Sequence, residues 1–310
     1  MVWGNWFYSP VQVENLSNIK FIINNGDYLI ALKEDGTVWI KGFFSDKPVQ
    51  VTNLNNVKNI ASGCSHTVFL KEDGTVWTWG GNGYGQLGNG TNDDSYDTPV
   101  QAINLHSIKY IASGCGHAAA IKEDGTVWTW GYNYYGQLGD NTRNNSNIPA
   151  QITNINNVMN IAAGREHTVV LKENGTVWAW GGYEYGQLGD GYNNKKSVKP
   201  VQISGLNNVK NIDAGYDYTL ALLEEGTVWA WGSNGHEQLG NGGLYNTHEP
   251  VQINNLSEIK NISANYCHTL ALKEDDTVWA WGTNSYGQLN LEDAYRVETP
   301  VQVTNVSKPF

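Results

Sequence analysis

A proline followed by an apolar residue and glutamine recurs seven times, at Pro10, Pro48, Pro99, Pro149, Pro200, Pro250 and Pro300. The last five intervals are 51, 50, 51, 50 and 50 residues, the first 38. A fixed period near 50 means that one supersecondary unit is repeated and that the units bury their apolar faces against one another. Within each interval the same four strand-like pieces return in the same order. In the unit from Pro48 they are Asn56–Ala61 (A), His66–Leu70 (B), Thr75–Trp79 (C) and Pro99–Ala102 (D).

B and C are joined by Lys71-Glu72-Asp73-Gly74, whose Asp-Gly pair favours a tight hairpin turn with positive φ. The sixth unit has Asp276 where the others have Gly, and Asp tolerates that backbone region. The proline is read as opening D, an outer strand on which a missing N–H breaks no ladder. Strand C reads Val-Trp-x-Trp-Gly, at Trp77/Trp79, Trp128/Trp130, Trp178/Trp180, Trp229/Trp231 and Trp279/Trp281. Alternation places both indoles on one face and the valine on the other. Burying an indole removes ~200 Å² from water, about 5 kcal/mol, so the 13 tryptophans read as core and not as an exposed sugar-stacking row. A sheet apolar on both faces must be sandwiched. Stacking such sheets in a ring also removes exposed ends.

The consensus Ala-x-Gly-x-x-His-Thr-x-x-Leu-Lys-Glu-Asp-Gly-Thr-Val-Trp-x-Trp-Gly-x-x-x-Tyr-Gly-Gln-Leu-Gly stands nearly complete in residues 61–88, 112–139 and 162–189, with variants at 214–240 and 264–289. It closely resembles the regulator of chromosome condensation repeat, in a bacterial-like member of that family. The resemblance implies an all-β propeller of four-stranded antiparallel blades with seven blade positions. The full repeats run over 14–51, 52–102, 103–152, 153–203, 204–253 and 254–303, with a partial blade at 1–13 and a tail at 304–310, all in one propeller domain. The partial blade supplies only a C-like strand (Val2-Trp3) and a D strand (Pro10–Val13). The expectation is therefore seven positions with an incomplete closing blade, the alternative being six blades. In the first unit Lys41–Lys47 replaces the whole Tyr-Gly-Gln-Leu-Gly hairpin.

A net charge of −11 argues against a nucleic-acid footprint, which needs clustered Lys and Arg. No apolar run is long enough to span a membrane. The N-terminal MVWGNWFYSP has neither a basic n-region nor an apolar h-region, so a soluble chain is expected, cytoplasmic or a domain of a longer secreted protein. Cys64, Cys115 and Cys267 show no Cys-x-x-Cys spacing and are read as neither a disulfide framework nor a zinc site. His66, His117, His167 and His268 share one repeat position, with Tyr28 and Tyr218 standing there in the other units. Equivalent positions on a propeller are well separated, so these histidines are read as hydrogen-bonding at the A–B turn and not as a metal cluster. The acidic hairpins (Glu72-Asp73, Glu123-Asp124 and their equivalents) recur in almost every unit, unlike a catalytic pair. No catalytic residue, metal or cofactor is expected, and the chain is read as a non-enzyme.

Comparing the units separates scaffold from choice. The B–C and D–A loops are monotonous, whereas the A–B and C–D loops, on the opposite face, vary. The two positions before the shared His or Tyr read Gly26-Asp27, Cys64-Ser65, Cys115-Gly116, Arg165-Glu166, Tyr216-Asp217 and Tyr266-Cys267. Tyrosines outside the repeat gather on this face: Tyr96, Tyr134, Tyr183, Tyr192, Tyr216, Tyr245, Tyr266 and Tyr295. With Arg165, Glu166 and Asp217 they form the expected protein-binding surface, since tyrosine among Asn, Ser and Gly is paratope-like. The expected function is a protein-interaction scaffold. The alternatives are guanine-nucleotide exchange on a small GTPase, which the resemblance ties to a β-wedge and basic tail not seen here, and carbohydrate binding by the Tyr-rich loops.

Overall fold

The six Asp-Gly-type hairpins form, and they organise everything around them. The B–C turn residues Gly36, Gly74, Gly125, Gly175 and Gly226 have φ between 75° and 79°, and Asp276 takes the same region at 66°. In four of the hairpins an aspartate closes the turn: Asp73 Oδ1 accepts from Thr75 N at 2.9 Å and from Thr75 Oγ1 at 2.6 Å. Asp35, Asp124 and Asp275 do the same with Thr37, Thr126 and Thr277. The threonine hydrogen bonds hold these carboxyls below their ordinary pKa. The acidic tips are turn-closing groups.

The computed structural model describes residues 2–4, 7–11, 13, 14, 16–24, 28–42, 47–191, 196–291 and 294–304, with the backbone alone for 2–11. Six four-stranded antiparallel sheets follow one another along the chain, each in the order A-B-C-D. Blade 1 comprises Ile19–Asn24, Tyr28–Lys33, Val38–Gly42 and Val49–Gln50. Blade 2 comprises Val57–Ser62, His66–Lys71, Val76–Gly80 and Ser95–Gln101. Blade 3 comprises Ile108–Ser113, His117–Lys122, Val127–Gly131 and Ser146–Gln151, and blade 4 Val158–Ala163, His167–Lys172, Val177–Gly181 and Ser197–Gln202. Blade 5 comprises Val209–Ala214, Tyr218–Leu223, Val228–Gly232 and Thr247–Gln252, and blade 6 Ile259–Ala264, His268–Lys273, Val278–Thr283 and Arg296–Gln302. No helix long and apolar enough to cross a membrane occurs among the described residues.

Strand A of each blade packs against strands A and B of the blade before it, so the A strands lie innermost and D forms the outer edge. The core is built between blades. Val68, Leu70 and Val76 of blade 2 meet Ala118, Ala120 and Trp130 of blade 3, and the pattern repeats for Ala119, Ile121 and Val127 against Val170 and Trp180. Alternation along each strand sends one set of side chains to each neighbour.

Three expectations are corrected. Among the described residues the propeller has six four-stranded blades and not seven positions. Val2–Gly4 pairs antiparallel with Phe7–Val11 as a separate two-stranded sheet, and no third strand joins it among the described residues. The proline does not open strand D. In blade 2, D starts at Ser95, paired with Gly80, and Pro99 sits in an irregularity before Val100 pairs with Thr78. The register shift spares the ladder the missing N–H. Finally, Cys64 and Cys115 form a disulfide between the A–B turns of blades 2 and 3, with Cα atoms 4.4 Å apart, while Cys267 is a buried free thiol. They are 51 residues apart in sequence but occupy the same repeat position in adjacent blades.

Candidate protein-binding face

The A–B turn is closed by a short hydrogen bond, for example Gly114 N to His117 O at 2.8 Å and Gly164 N to His167 O at 2.9 Å. A Cβ on Gly114 would overlap the His117 ring and the Gly164 carbonyl of the next blade, so glycine is required there, whereas blade 6 closes the same turn with Asn265. The two residues between are forced outward. The carbonyl of the second also receives the first N–H of the C–D loop: Tyr132 N to Gly116 O at 2.8 Å, Gly182 N to Glu166 O at 2.7 Å, Ser233 N to Asp217 O at 2.8 Å. The two variable loops of each blade are thus tied together.

Beneath them lies a repeated junction. The histidine ring reaches the next blade: His117 Nε2 is 2.9 Å from Thr168 Oγ1, His167 Nε2 is 3.1 Å from Thr219 Oγ1, and His66 Nε2 is 3.1 Å from Ser113 Oγ. Thr168 and Thr219 donate in turn to the carbonyls of Gln137 and Gln187 at 2.8 and 3.0 Å. The same carbonyls accept from Trp180 Nε1 and Trp231 Nε1 at 2.9 and 3.0 Å. These histidines hydrogen-bond from blade to blade, and burial keeps their pKa values down at about 3 for His117 and His167 and about 4 for His66. The second indole of each pair is fully buried in blades 3 to 6. The first is half-buried, and in blades 3, 4 and 6 it lies beneath the hairpin lysine, as with Lys122 Nζ 4.1 Å from the Trp128 ring centre.

On this platform the described tyrosines fall into two neighbouring groups. Tyr84 and Tyr132 have ring centres 4.5 Å apart, Tyr132 and Tyr134 6.5 Å, and Tyr134 and Tyr135 5.1 Å. Lys196 Nζ lies 4.6 Å from the Tyr134 ring and 4.8 Å from Tyr135. In the second group the Arg165 guanidinium sits 4.8 Å from the Tyr216 ring and 5.9 Å from Tyr185, and Tyr216 packs 4.1 Å from Tyr266. Arg165 is also paired with two carboxylates: its Nε is 3.2 Å from Asp217 Oδ1 and its terminal nitrogen 3.5 Å from Glu166 Oε2. Burial pushes Glu166 and Asp217 up to about 6 despite the arginine. Tyr135 is raised in its turn, chiefly by the Glu166 charge.

Of the residues expected on this surface, Arg165, Glu166, Tyr216, Asp217, Tyr266 and Tyr134 come together here. Tyr245 and Tyr295 are exposed in the C–D loops of blades 5 and 6, and Tyr96 is exposed at the start of strand D of blade 2, all three outside the two groups. Tyr183 is half-buried and packs against the core of blade 4, at the position where Asn82, Asn133, Asn234 and Asn284 cross-link their own loops. Tyr192, with Gly26 and Asp27, lies outside the described residues. Sequence reasoning passed over Tyr84, Tyr132, Tyr135, Tyr185 and Lys196. Three of these, Tyr84, Tyr135 and Tyr185, are the consensus tyrosines of the Tyr-Gly-Gln-Leu-Gly hairpin. Each is positioned because its own N–H donates to the glutamine Oε1 two residues on, at 2.9 to 3.0 Å. The available signal was an aromatic at a hairpin tip with no core to fill.

Residues 41–260 match the RCC1-like domain, and residues 259–288 and 275–310 match the regulator of chromosome condensation (RCC1) repeat. The chain belongs to the RCC1-like domain family. Among curated relatives it is 33% identical over 169 residues to the ultraviolet-B receptor UVR8 of Arabidopsis thaliana, covering 53% of this chain and 38% of that protein. It is also 33% identical over 164 residues to the human E3 ubiquitin-protein ligase HERC2, covering 51% of this chain and 3% of that one. The chain thus spans well under half the length of these relatives. Among solved structures, human WBSCR16 superposes with a TM-score of 0.88 at 22% identity, over 98% of this chain and 86% of that one. Yeast RCC1 (Prp20), solved bound to Kap60, gives 0.80 at 20% identity over 93% and 75%, and a further Prp20p structure is described with its binding properties to Gsp1p and histones. At these identities the likeness shows the fold alone.

Proposed function

We propose that this RCC1-like propeller is a non-enzymatic interaction scaffold that binds a partner protein through the face built by its A–B and C–D loops. The observation that carries the reading is the tyrosine band across blades 2 to 6, one part of which is packed on Arg165. Its rings are held by backbone bonds and ring-on-ring contacts, yet Tyr134 and Tyr266 remain 56% and 57% exposed. Aromatic side chains fixed before binding lose little entropy when a partner covers them, and Tyr and Arg dominate the residues that carry binding energy. Protein binding is also what is described for two Prp20 structures of the same fold.

Affinity capture with the wild-type chain and with a Tyr134→Ala/Tyr216→Ala/Tyr266→Ala variant tests this. Arg165 is left in place because removing it would strand the buried Asp217. The variant is expected to lose the captured partner, with affinity down at least about 30-fold if even one of the three tyrosines is a hot spot of about 2 kcal/mol, while its melting temperature stays near the wild type. A partner retained at wild-type level refutes the assignment. Adding a small GTPase to the capture, with a nucleotide-exchange readout, decides the alternative activity in the same experiment.

A further inference from the structure

Four of the five blade junctions are plugged in the same way. The hairpin after strand C of one blade delivers a glutamine carbonyl to the next blade, where Trp130, Trp180, Trp231 and Trp281 donate to Gln86, Gln137, Gln187 and Gln238 at 2.8 to 3.0 Å. Thr168, Thr219 and Thr269 donate to the last three of these carbonyls. Gly131, Gly181, Gly232 and Gly282 face the glutamine Cα so closely that a Cβ would sit 3.2 to 3.3 Å from it. The closing glycine of the hairpin lies on the same indole: a Cβ on Gly88 would be 2.8 Å from Trp130 Nε1 and one on Gly139 2.6 Å from Trp180 Nε1. The plug is therefore a Gln-Leu-Gly turn led by a residue at positive φ (Gly85, Gly136, Gly186 or Glu237), recognised by an indole N–H and a glycine, and by a threonine hydroxyl as well at three of the four junctions, Ala118 standing in its place in blade 3.

At the junction of blades 1 and 2 the receiving half is present. Thr67, Trp79 and Gly80 stand where Thr168, Trp180 and Gly181 stand two blades on. Blade 1 carries no Gly-Gln-Leu-Gly segment in its sequence to supply the plug, and residues 43–46 lie outside the described ones. Instead there is a cleft of about 360 Å³, lined by Thr67, Trp79 and Gly80 together with Tyr28, Ser65 and Tyr96. That volume is within the range of ligand-binding pockets. Trp79 Nε1 turns to its own blade and donates to Tyr96 O at 2.7 Å, and Thr67 Oγ1 lies 3.1 Å from Ser62 Oγ. Gly80, unlike its four counterparts, has no glutamine Cα against it among the described residues.

We propose that this cleft is a receptor for a Gly-Gln-Leu-Gly-type turn presented by a partner protein. On binding, Trp79 Nε1 exchanges its bond to Tyr96 O for the incoming glutamine carbonyl, to which Thr67 Oγ1 also donates, and the closing glycine covers the Trp79 indole. The evidence for the occupant is internal: the same molecule seats this kind of segment on an indole and a glycine at four junctions, and on a threonine as well at three of them. The site does not depend on the tyrosine band.

The test is a titration with a synthetic peptide carrying residues 82–90, followed by the indole N–H cross-peak of Trp79, which a Trp79→Phe spectrum assigns. The expected result is a saturable movement of that peak at millimolar peptide. A peptide with Gln-Leu-Gly replaced by Ala-Ala-Ala should leave the peak in place. Thr67→Val should weaken binding about fivefold for one lost hydroxyl donor. A variant in which residues 41–47 are replaced by the blade 2 hairpin should bind no peptide, because the cleft is then filled in cis. The Tyr134→Ala/Tyr216→Ala/Tyr266→Ala variant should bind peptide as the wild type does, which separates this site from the tyrosine band. An unmoved Trp79 peak, or equal binding by the hairpin-grafted variant, overturns the proposal.

Discussion

Acidification is expected to weaken the propeller at its blade junctions. His66, His117 and His167 are at most 1% exposed, and burial holds them at about 4, 3 and 3. In the unfolded chain each returns to about 6.5. Between these values the unfolded state binds more protons, so stability is full above about pH 6.5 and falls as the pH drops toward the folded values. From about pH 7.5 to about pH 5 each imidazole costs about 2 kcal/mol, about 6 kcal/mol for the three. Glu166, Asp213 and Asp217 act the other way. Burial pushes each up to about 6, so the folded state takes up the extra proton first and gains as pH falls through 6. Discounted for their partial exposure they return about 1 kcal/mol each. The net loss is about 3 kcal/mol. Urea unfolding followed by tryptophan fluorescence at the two pH values measures it. His117→Gln can still hydrogen-bond Thr168 but cannot ionise, so its loss over the same interval should be smaller by about 2 kcal/mol. A wild-type midpoint that holds steady or rises on acidification, or a His117→Gln protein that loses as much as the wild type, refutes the reasoning.

Two further outcomes follow from the junctions. Thr219→Val keeps the shape but removes the hydroxyl shared by His167 Nε2 and Gln187 O, and should cost about 2 kcal/mol in urea unfolding; a cost below about 0.5 kcal/mol would mean that the shared hydroxyl is not holding the blades. The Cys64–Cys115 disulfide closes a sequence separation of 51 residues, for which chain entropy predicts about 4 kcal/mol. Reductant should therefore lower the melting temperature of the wild type and leave Cys64→Ser/Cys115→Ser unaffected, and three reactive thiols in the unreduced, unfolded protein would contradict the pairing.

The blade was legible because its signals are local: period-two strands, an Asp-Gly turn, and a Trp pair on one face. What escaped is what depends on a neighbour. Strand D begins at Ser95 because Gly80 lies across from it, and nothing near Ser95 announces that pairing. The disulfide needed the repeat frame to be read across blades, since Cys64 and Cys115 look unrelated until their shared position is noticed. The six-blade count turned on the two N-terminal strands pairing only with each other. On the binding face the irregular residues Arg165, Tyr216 and Tyr266 were visible because they break the repeat. Tyr84, Tyr135 and Tyr185 were hidden because they obey it, serving the consensus hairpin and the surface at once.

The junction between blades also gives the molecule a direction. From the third sheet on, each is completed by a segment lent from its predecessor: the indole and the glycine, with a threonine from the fourth sheet on, wait on one side, and the glutamine turn arrives from the side nearer the N-terminus. Loss of the last sheet would leave every earlier one furnished, whereas excising a middle sheet would bare the socket of the one that follows. Duplication of such a unit therefore extends the array safely at one end only, and the second sheet, whose predecessor has no such segment to lend, is the place where a loan can be accepted from outside.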